Sequence, residues 1–424
     1  MSRWLIRGAL LNGVGDATDV LIDGELIADI GPALDVDPST LAHCIEANGA
    51  WLLPGLVDPL VRLREPGASH KATIAAEATA ALSRGSTWLG MAADTNPPIE
   101  STAVVEMIGR RSAAAQGAQV LPYAALCRES GGLAELAALS AAGCPIATDQ
   151  GAPIADAGML RRALQYASSL DMAVMLQPID AALNADGIAH DGAIAARMGL
   201  PGIPSTAETV ALARILLLAE ECNARVIVGP LSTAASVEQI AQAQARGVRV
   251  TGMVSTLQLS LNDLDLYPFR SVLHLQPPLR EEDDRTALLA GLADGVIGLL
   301  CSDHQPHDAD AKLAPFGESE IGASMLDAHL GLGLQLVLDG TLSVTQWLDR
   351  ASLQPRRWLG LNAPLWQTGA AVDLMLLNSH FEVPLPSCGL RSSGKNSPFI
   401  GRHLPGKVLA AAVGDHRYIA EQSS

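Results

Sequence analysis

The sequence has few aromatic residues and little positive charge. Phe, Trp and Tyr make up 3% of its 424 residues, and 28 lysines and arginines stand against 45 aspartates and glutamates, for a formal net charge of −17. Because nucleic-acid phosphates and anionic lipid surfaces both select basic proteins, this balance argues against nucleic acid and membrane surfaces as partners. The sequence also lacks an apolar run of about 18 residues, which argues against a membrane-spanning helix.

The cysteines lack any paired spacing. The six are scattered along the chain, without a C-x-x-C pair. Scattered thiols in a chain of this size are typical of a reducing compartment, where they pack in the core. The first residues show neither the apolar stretch nor the cleavage site of a secretory signal. Together these features predict a cytoplasmic protein.

The order of apolar segments predicts an α/β fold. From Pro54 onward, continuous apolar strands alternate with Ala/Leu-rich stretches of helical period, which favours a parallel sheet covered on both faces. Eight such units favour a closed (β/α)8 TIM-type barrel. The strand candidates are GLVDPLVRL, STWLGMAAD, VLPYAAL, PIATD, AVMLQP, RVIVGP, RVTGMVS and VIGLLCSD.

Both chain ends are rich in short strands instead. Two alternating runs joined by Asp23-Gly24 are typical of a β-hairpin. We therefore predict a small β-sandwich domain built from residues 1–53 and 366–424, beside a barrel of residues 54–365. The polar segment PLPSCGLRSSGKNSPFIGRHLPG is predicted to be a long surface loop.

In a barrel of this kind, chemistry is found where the strands end. The side chains at those ends are Leu60, Arg62, Asp94, Asp149, Gln150, Gln177, Pro230, Met253, Asp303, His304 and His307. Only the last strand ends in an acid together with imidazoles.

Several segments resemble the dihydroorotase branch of the cyclic amidohydrolases, over nearly the whole chain. They are PGLVDPLVRLREPGASHKATI, DTNPPIE, ATDQGAPIADAGMLRRALQYAS, RMGLPGIPSTAE, STAASVEQI, QPPLREEDDRTALLAGLADG, SDHQPHD, PFGESEIG and NSPFIGRHLPGKV. The resemblance implies an amidohydrolase barrel that opens or closes a six-membered cyclic amide with one or two zinc ions. It also implies the zinc ligands: two histidines on the first strand, an Asp or carboxylated Lys on the fourth, histidines on the fifth and sixth, and an Asp on the eighth.

Transferred to this sequence, that ligand set survives only at Asp303. The other degenerate metal positions are Leu60, Arg62, Gln150, Gln177 and Pro230. Leucine and proline offer no lone pair, arginine carries a fixed cation, and a glutamine amide is a poor zinc ligand. A catalytic zinc needs about three protein ligands and an open position for water. We therefore predict no zinc or other cofactor and no catalytic residues, Asp303 being vestigial, so the chain is predicted not to be an enzyme.

The residues that match the family's substrate site are retained in part. Arg64 matches the carboxylate-binding arginine, and His307 and the Phe316-Gly317 turn also match. The two substrate asparagines of the family are replaced by Asp94 and Gln276. These six residues form a predicted vestigial substrate site.

Several of these residues also have purely structural interpretations. Asp303 would pair with Arg62 as an internal ion pair, and Arg64 would cap the loop that follows it. Asp303, His304 and His307 would alternatively form a reduced mononuclear zinc site. Three other histidines are predicted to lie on the surface and one cysteine to be a packed core thiol: His70, His190, His274 and Cys301.

The resemblance supplies a partner. Some dihydroorotase-like chains with degraded metal sites are non-catalytic companions of aspartate transcarbamoylase, the preceding enzyme of pyrimidine biosynthesis. The resemblance therefore implies a hetero-oligomer of this chain with the catalytic chain of that enzyme. Two alternatives remain: an active zinc-dependent hydrolase with a reduced metal site, and a regulatory module that binds a pyrimidine intermediate through Arg64 and His307.

Overall fold

The computed structural model describes residues 3–149, 153–386 and 388–421. The strands are β1 (Arg3–Leu11), β2 (Ala17–Asp23), β3 (Leu26–Gly31), β4 (His43–Glu46), β5 (Trp51–Pro54), β6 (Leu56–Val61), β7 (Ser86–Met91), β8 (Gln119–Pro122), β9 (Ala124–Ala125), β10 (Ile146–Thr148), β11 (Ala173–Leu176), β12 (Ala189–His190), β13 (Gly202–Ile203), β14 (Val226–Val228), β15 (Val250–Ser255), β16 (Ile297–Cys301), β17 (Asp373–Pro384), β18 (His403–Val413) and β19 (His416–Ile419). The helices are α1 (Ile74–Ser83), α2 (Thr102–Ala114), α3 (Leu136–Ala141), α4 (Ala157–Ser169), α5 (Ala181–Asn184), α6 (Ala193–Met198), α7 (Thr206–Cys222), α8 (Ala234–Ala245), α9 (Thr256–Ser260), α10 (Glu282–Asp294), α11 (Leu326–Leu338), α12 (Val344–Leu348) and α13 (Gln354–Leu359).

A parallel barrel forms the centre of the molecule. β6, β7 and β8 pair in order, and β9, β10, β11, β14, β15 and β16 pair in order, all in parallel. The backbone N–H of Arg62 donates to the carbonyl of His304 (2.9 Å), and this contact joins the first barrel strand to the last. All eight strand candidates are confirmed, the third as the interrupted pair β8 and β9.

The barrel interior is filled by apolar side chains, and the strands are buried on both faces. One inner cluster draws a residue from nearly every strand, including Leu60, Met175, Ile227 and Leu299. A second, larger cluster lies between the strands and the surrounding helices. Side-chain caps fix where several helices begin, as at Thr73 before α1.

The two chain ends share one sheet, in the order β19-β18-β17-β5-β1-β2-β3 with β4 beside β1. The hairpin predicted at Asp23-Gly24 is confirmed, since β2 and β3 pair antiparallel there. Alternate side chains such as Trp4, Ile22, Leu374 and Ala410 make the core of this region.

The segment between β17 and β18 differs from the predicted surface loop. Phe399 is fully buried in it, and so are the polar residues Ser392 and Asn396. The Asn396 amide donates to the carbonyls of Gln305 and Gly322, at 2.9 and 3.0 Å. The polar side chains of the segment form hydrogen bonds with backbone groups beside the barrel. The prediction of a surface loop was therefore wrong for these residues.

The prediction that the cysteines pack in the core is confirmed for some of them and wrong for others. Cys301 is fully buried, as predicted for a core thiol, whereas Cys44 and Cys388 are exposed. Within the described ranges, the helices are all too short or too polar to cross a membrane.

Candidate functional site at the barrel mouth

The end of β6 decides the chemistry of the barrel mouth. Leu60 is fully buried and belongs to the inner apolar cluster of the barrel. Arg62 follows two residues later and turns its guanidinium toward the ends of the neighbouring strands. Because successive side chains alternate between the two faces of a strand, Leu60 and Arg62 lie on the same face. They place a hydrocarbon and a cation where the family pattern has two imidazoles.

Arg62 joins two acids from other strand ends. Its Nε lies 2.8 Å from Asp94 Oδ2, and its Nη1 lies 2.9 Å from Asp303 Oδ1. The three side chains are 9%, 19% and 15% exposed, so water reaches them only in part. The predicted ion pair between Arg62 and Asp303 is confirmed, and Asp94 is a second partner that the sequence analysis did not foresee.

The electrostatics of this cluster keep the arginine charged. Burial lowers the pKa of Arg62, but the nearby carboxylates of Asp94 and Asp303 outweigh it and raise that pKa above its ordinary value. Burial also raises the pKa of Asp303, although the guanidinium of Arg62 opposes that rise. One fixed cation therefore sits between two acids in a poorly solvated place.

These residues do not fit the zinc ions that the family implies. Leu60 and Pro230 have no donor atom, and Asp303 is already engaged by a guanidinium. A zinc ion at Asp303 would lie beside the permanently charged Arg62, and the repulsion between the two cations would oppose zinc binding. Among the described residues there is no group of three or more His, Cys, Asp or Glu side chains placed to hold a metal. Gln150, one of the predicted degenerate positions, lies outside the described residues.

The acid next to that position is described. Asp149 is buried, and its Oδ1 accepts a hydrogen bond from the backbone N–H of Gln177 (3.0 Å). Burial raises the pKa of Asp149 to about 7. Its oxygen therefore holds the end of β11.

His304 points away from the mouth. Its Nδ1 accepts a hydrogen bond from the backbone N–H of Met325 (3.0 Å), so its Nε2 donates to Glu77 Oε2 (3.1 Å). Neither side chain has any exposed surface. His304 is therefore not placed to join Asp303 and His307 in the alternative zinc site, because it is hydrogen-bonded to Glu77 on α1.

His307 lies beside Arg64 and Lys71. The Lys71 ammonium donates to Nδ1 (3.2 Å), which leaves the Nε2 proton for the carbonyl of Ile321 (2.9 Å). Burial, together with the nearby charge of Arg64, lowers the pKa of His307 to about 4. The backbone N–H of His307 donates to the Asn396 side chain (2.9 Å). A neutral imidazole therefore sits among cations, and Asn396 is a positioning residue that the sequence analysis missed.

The side chain of Arg64 is held by the last barrel loop, while its backbone carbonyl accepts from the N–H of Ala68 (2.7 Å) in the loop that follows it. Its Nε donates to the carbonyl of Pro306 (3.1 Å), and its Nη2 lies 3.0 Å from His307 Nε2. Its Nη1 reaches Asp94 Oδ2 at 4.0 Å.

A cleft of about 350 Å³ opens above the Arg62 cluster. Among the described residues its polar lining consists of one guanidinium and four carboxamides: Arg62, Gln177, Asn184, Gln276 and Gln305. Carboxamides both donate and accept hydrogen bonds, so this lining suits an uncharged, amide-bearing molecule. Asn184 and Gln305 carried no signal in the sequence analysis.

The remaining predicted residues are not among those that line this cleft. Phe316 is buried in an apolar cluster, with its ring centroid 5.2 Å from that of His274. A Cβ on Gly317 would come within 2.9 Å of Ile188, so the glycine permits close packing there. The surface prediction was wrong for His274, which bonds to Ser319, and for His190, which lies 2.8 Å from the buried Arg280. His70 is exposed, as predicted.

The comparisons with known proteins agree on one family. Residues 49–236 match the family model described as dihydro-orotase-like. A dihydroorotase-like protein of Pseudomonas putida is 41% identical over 408 residues, which cover 95% of each chain. The chain belongs to the dihydroorotase-like family. A protein of Anaeromyxobacter dehalogenans (strain 2CP-C) named dihydroorotase is 37% identical, over 94% of this chain and 93% of the relative.

Solved structures confirm the predicted fold. The L-hydantoinase (dihydropyrimidinase) of Arthrobacter aurescens superposes with a TM-score of 0.84 at 22% identity, covering 99% of this chain and 96% of the other. At that identity the likeness concerns the fold alone. It agrees with the amidohydrolase barrel and the β-sandwich domain expected from the sequence.

The relatives correct one prediction. The chain was predicted not to be an enzyme, yet relatives that match nearly its whole length, at 37% and 36% identity, carry the name of an enzyme, dihydroorotase. That prediction was wrong because it equated the loss of one metal-ligand set with the loss of all chemistry. Ligand positions describe one means of catalysis, whereas the family relationship rests on the whole chain.

Proposed function

We propose that this dihydroorotase-like chain serves pyrimidine biosynthesis as a subunit that assembles with the catalytic chain of aspartate transcarbamoylase. The observation that carries the proposal is the Arg62 cluster, in which a guanidinium binds Asp94 and Asp303 at 2.8 and 2.9 Å. The cation that bridges these strand ends is a side chain of the chain itself. Such a scaffold is suited to a permanent structural role in an assembly.

The charge of the chain agrees with a protein partner. A net charge of −17 leaves a surface that attracts a complementary basic face and accelerates encounter with it. Among the described residues the barrel strands pair in order, and the contact of Arg62 with His304 joins the first strand to the last.

The test is to mix the purified chain with the purified catalytic chain of aspartate transcarbamoylase from the same source. We expect one mixed species in size-exclusion chromatography with light scattering, larger than either component alone. Carbamoyl transfer measured on the mixture and on the transferase alone then shows whether the partner depends on this chain. Separate elution of the two proteins at micromolar concentration would contradict the proposal.

A second candidate function is the opening or closing of a cyclic amide in the mouth cleft. It is favoured by the carboxamide lining of the cleft and by relatives named dihydroorotase. A direct assay of dihydroorotate hydrolysis tests it, with and without added zinc, on the wild-type chain and on Asp303→Asn. Turnover that the substitution abolishes would establish this function. Binding of dihydroorotate without turnover, lost in Arg62→Met, would instead indicate a regulatory ligand.

A further inference from the structure

One loop near the mouth carries large apolar side chains on the surface. Residues 262–270, here the aromatic loop, join α9 to the segment before α10. Leu264, Tyr267 and Phe269 in this loop are 62%, 64% and 51% exposed. The whole chain has only four tyrosines and four phenylalanines, so an exposed pair within three residues is a concentration. Clustered exposed aromatic side chains are typical of protein interfaces.

The aromatic loop is held rigidly. Asn262 caps a short turn by accepting from the N–H of Leu264 (3.0 Å), and Asp265 accepts from the N–H of Asn262 (3.0 Å). Leu266 is 2% exposed and anchors the loop in the apolar cluster around the mouth. Arg270 donates to the carbonyls of Asp265 and of Pro398. The backbone that carries the exposed side chains is therefore held in place, and a preorganised backbone loses little conformational entropy on binding.

The backbone at Phe269 supports this interpretation. Its φ is 65°, in the left-handed region that is uncommon for a bulky residue. The chain keeps a strained backbone there and leaves the ring half in water. Such strain persists where the surrounding structure fixes it, and it is concentrated at functional positions.

Acidic side chains lie on two segments that contact the aromatic loop. Asn262 in the loop donates to Glu282 (2.8 Å), which belongs to the first segment, residues 281–283. Ser271, just after the loop, donates to the carbonyl of Lys312 (2.5 Å) and so joins the loop to the segment of residues 308–321. Leu313 in that segment is 78% exposed. The exposed acids on the two adjoining segments are Glu281, Glu282, Asp283, Asp308, Asp310, Glu318 and Glu320.

The cations nearby are engaged within the chain. Arg285 pairs with Glu282. Lys312 donates to the backbone carbonyls of His274 and Glu320. Glu282 and Glu320 have partners within the chain as well, Arg285 and Lys71, but the exposed acids outnumber these cations, so the apolar centre has an acidic rim.

We infer that the aromatic loop docks a basic protein surface, one that offers an apolar pocket ringed by lysine or arginine. A second copy of this chain is a poor occupant, because its net charge of −17 would set acid against acid. The inference rests on the proposed function, since it takes the transferase catalytic chain to be the protein that carries the basic surface.

The experiment compares two double variants, each of which replaces two exposed apolar side chains with polar ones. Tyr267→Ser with Phe269→Asn removes both rings, and asparagine tolerates the left-handed backbone at position 269. The control, Val210→Ser with Leu217→Ser, removes two apolar side chains that are 48% and 66% exposed on α7. Equilibrium binding of each to the transferase catalytic chain is measured by calorimetry, and melting temperatures check that each variant is folded.

We expect the aromatic variant to bind about tenfold or more weakly, and the control to stay within about threefold of wild type. Wild-type affinity should also fall as salt is raised, because the acidic rim contributes attraction that salt screens.

Each other outcome overturns the inference. If the wild-type chain binds the transferase and the aromatic variant binds equally well, the loop assignment fails while the proposed function stands. Equal losses in both double variants would also contradict it. If the wild-type chain does not bind at all, the proposed function and the loop assignment fail together. If light scattering shows that the chain alone forms an oligomer that the aromatic variant dissolves, the loop is a self-interface.

Discussion

The two ends of the barrel each hold a buried arginine bound to acid, and the two arrangements differ in balance. At the N-terminal end, Arg356 Nη1 lies 2.6 Å from Asp373 Oδ2, and the arginine also donates to the carbonyl of Gly55 (3.0 Å). Thr87 and Trp88 donate to the same carboxylate. At the C-terminal end, Arg62 serves two acids beside an open cleft.

Both arginines border a cleft, of about 640 Å³ at Arg356 and about 350 Å³ at Arg62, so the difference lies in the number of acids that each arginine serves. The Arg356 pair is one cation with one anion, 2% and 12% exposed, and it fastens the starts of β6 and β7 to β17 of the terminal sheet. Arg62 shares its guanidinium between two acids, with Arg64 as a more distant second cation 4.0 Å from Asp94, and the cluster faces a cleft lined by carboxamides. In (β/α)8 barrels the N-terminal end serves stability and the C-terminal end serves function.

The largest expected effect is at the Arg356 pair. Arg356→Met leaves Asp373 buried without its cation and removes a donor from the carbonyl of Gly55, so we expect a loss of about 3–5 kcal/mol in unfolding free energy. The measurement is urea and thermal unfolding. The control is Arg246→Met, whose exposed pair with Glu220 should contribute less than about 1 kcal/mol. Equal losses in the two variants would remove the distinction between the buried pair and the exposed one.

A smaller effect is expected at the mouth. Arg62→Met leaves Asp94 and Asp303 facing each other, partly solvated, and should cost about 1–3 kcal/mol. Adding Asp303→Asn removes one of the two charges and should restore part of that loss. A double variant whose loss equals the sum of the single losses would show that Arg62 and Asp303 are not coupled.

The smallest effect concerns His307. Burial lowers the pKa of His307 from its ordinary 6.5 to about 4, so the unfolded chain takes up a proton at higher pH than the folded chain does. The stability that the neutral ring contributes is present above about pH 6.5 and is lost as the pH falls toward 4. His307→Gln should therefore flatten the decline of the melting temperature between those values. The matched control is the exposed His403→Gln, which should leave the decline unchanged. An unchanged decline in His307→Gln would contradict the assignment.

The sequence was sufficient for features that repeat or that sit at a known point of the pattern. The eight barrel strands follow from apolar runs that alternate with helical periods. The pairing of Arg62 with Asp303 follows because both stand at ends of strands that meet when the barrel closes.

Contacts between residues that are far apart in the sequence could not be predicted from the sequence. Glu77 and His304 are 227 positions apart in the sequence, and the residues next to each of them give no indication of the pair. Asp94 had been assigned to the substrate because it replaces an asparagine, whereas in the structure it binds Arg62. His190 and Asn396 look like surface residues by composition, and both are buried because distant polar groups accept or donate their hydrogen bonds.

The most direct test of the account is the zinc content of the purified chain, saturated with zinc and then freed of loosely bound metal. If Arg62 supplies the cation of the mouth, we expect much less than one zinc ion per chain, in the wild-type protein and in Asp303→Asn alike. One or two zinc ions per wild-type chain, lost in Asp303→Asn, would show that the mouth holds a metal and would contradict the account.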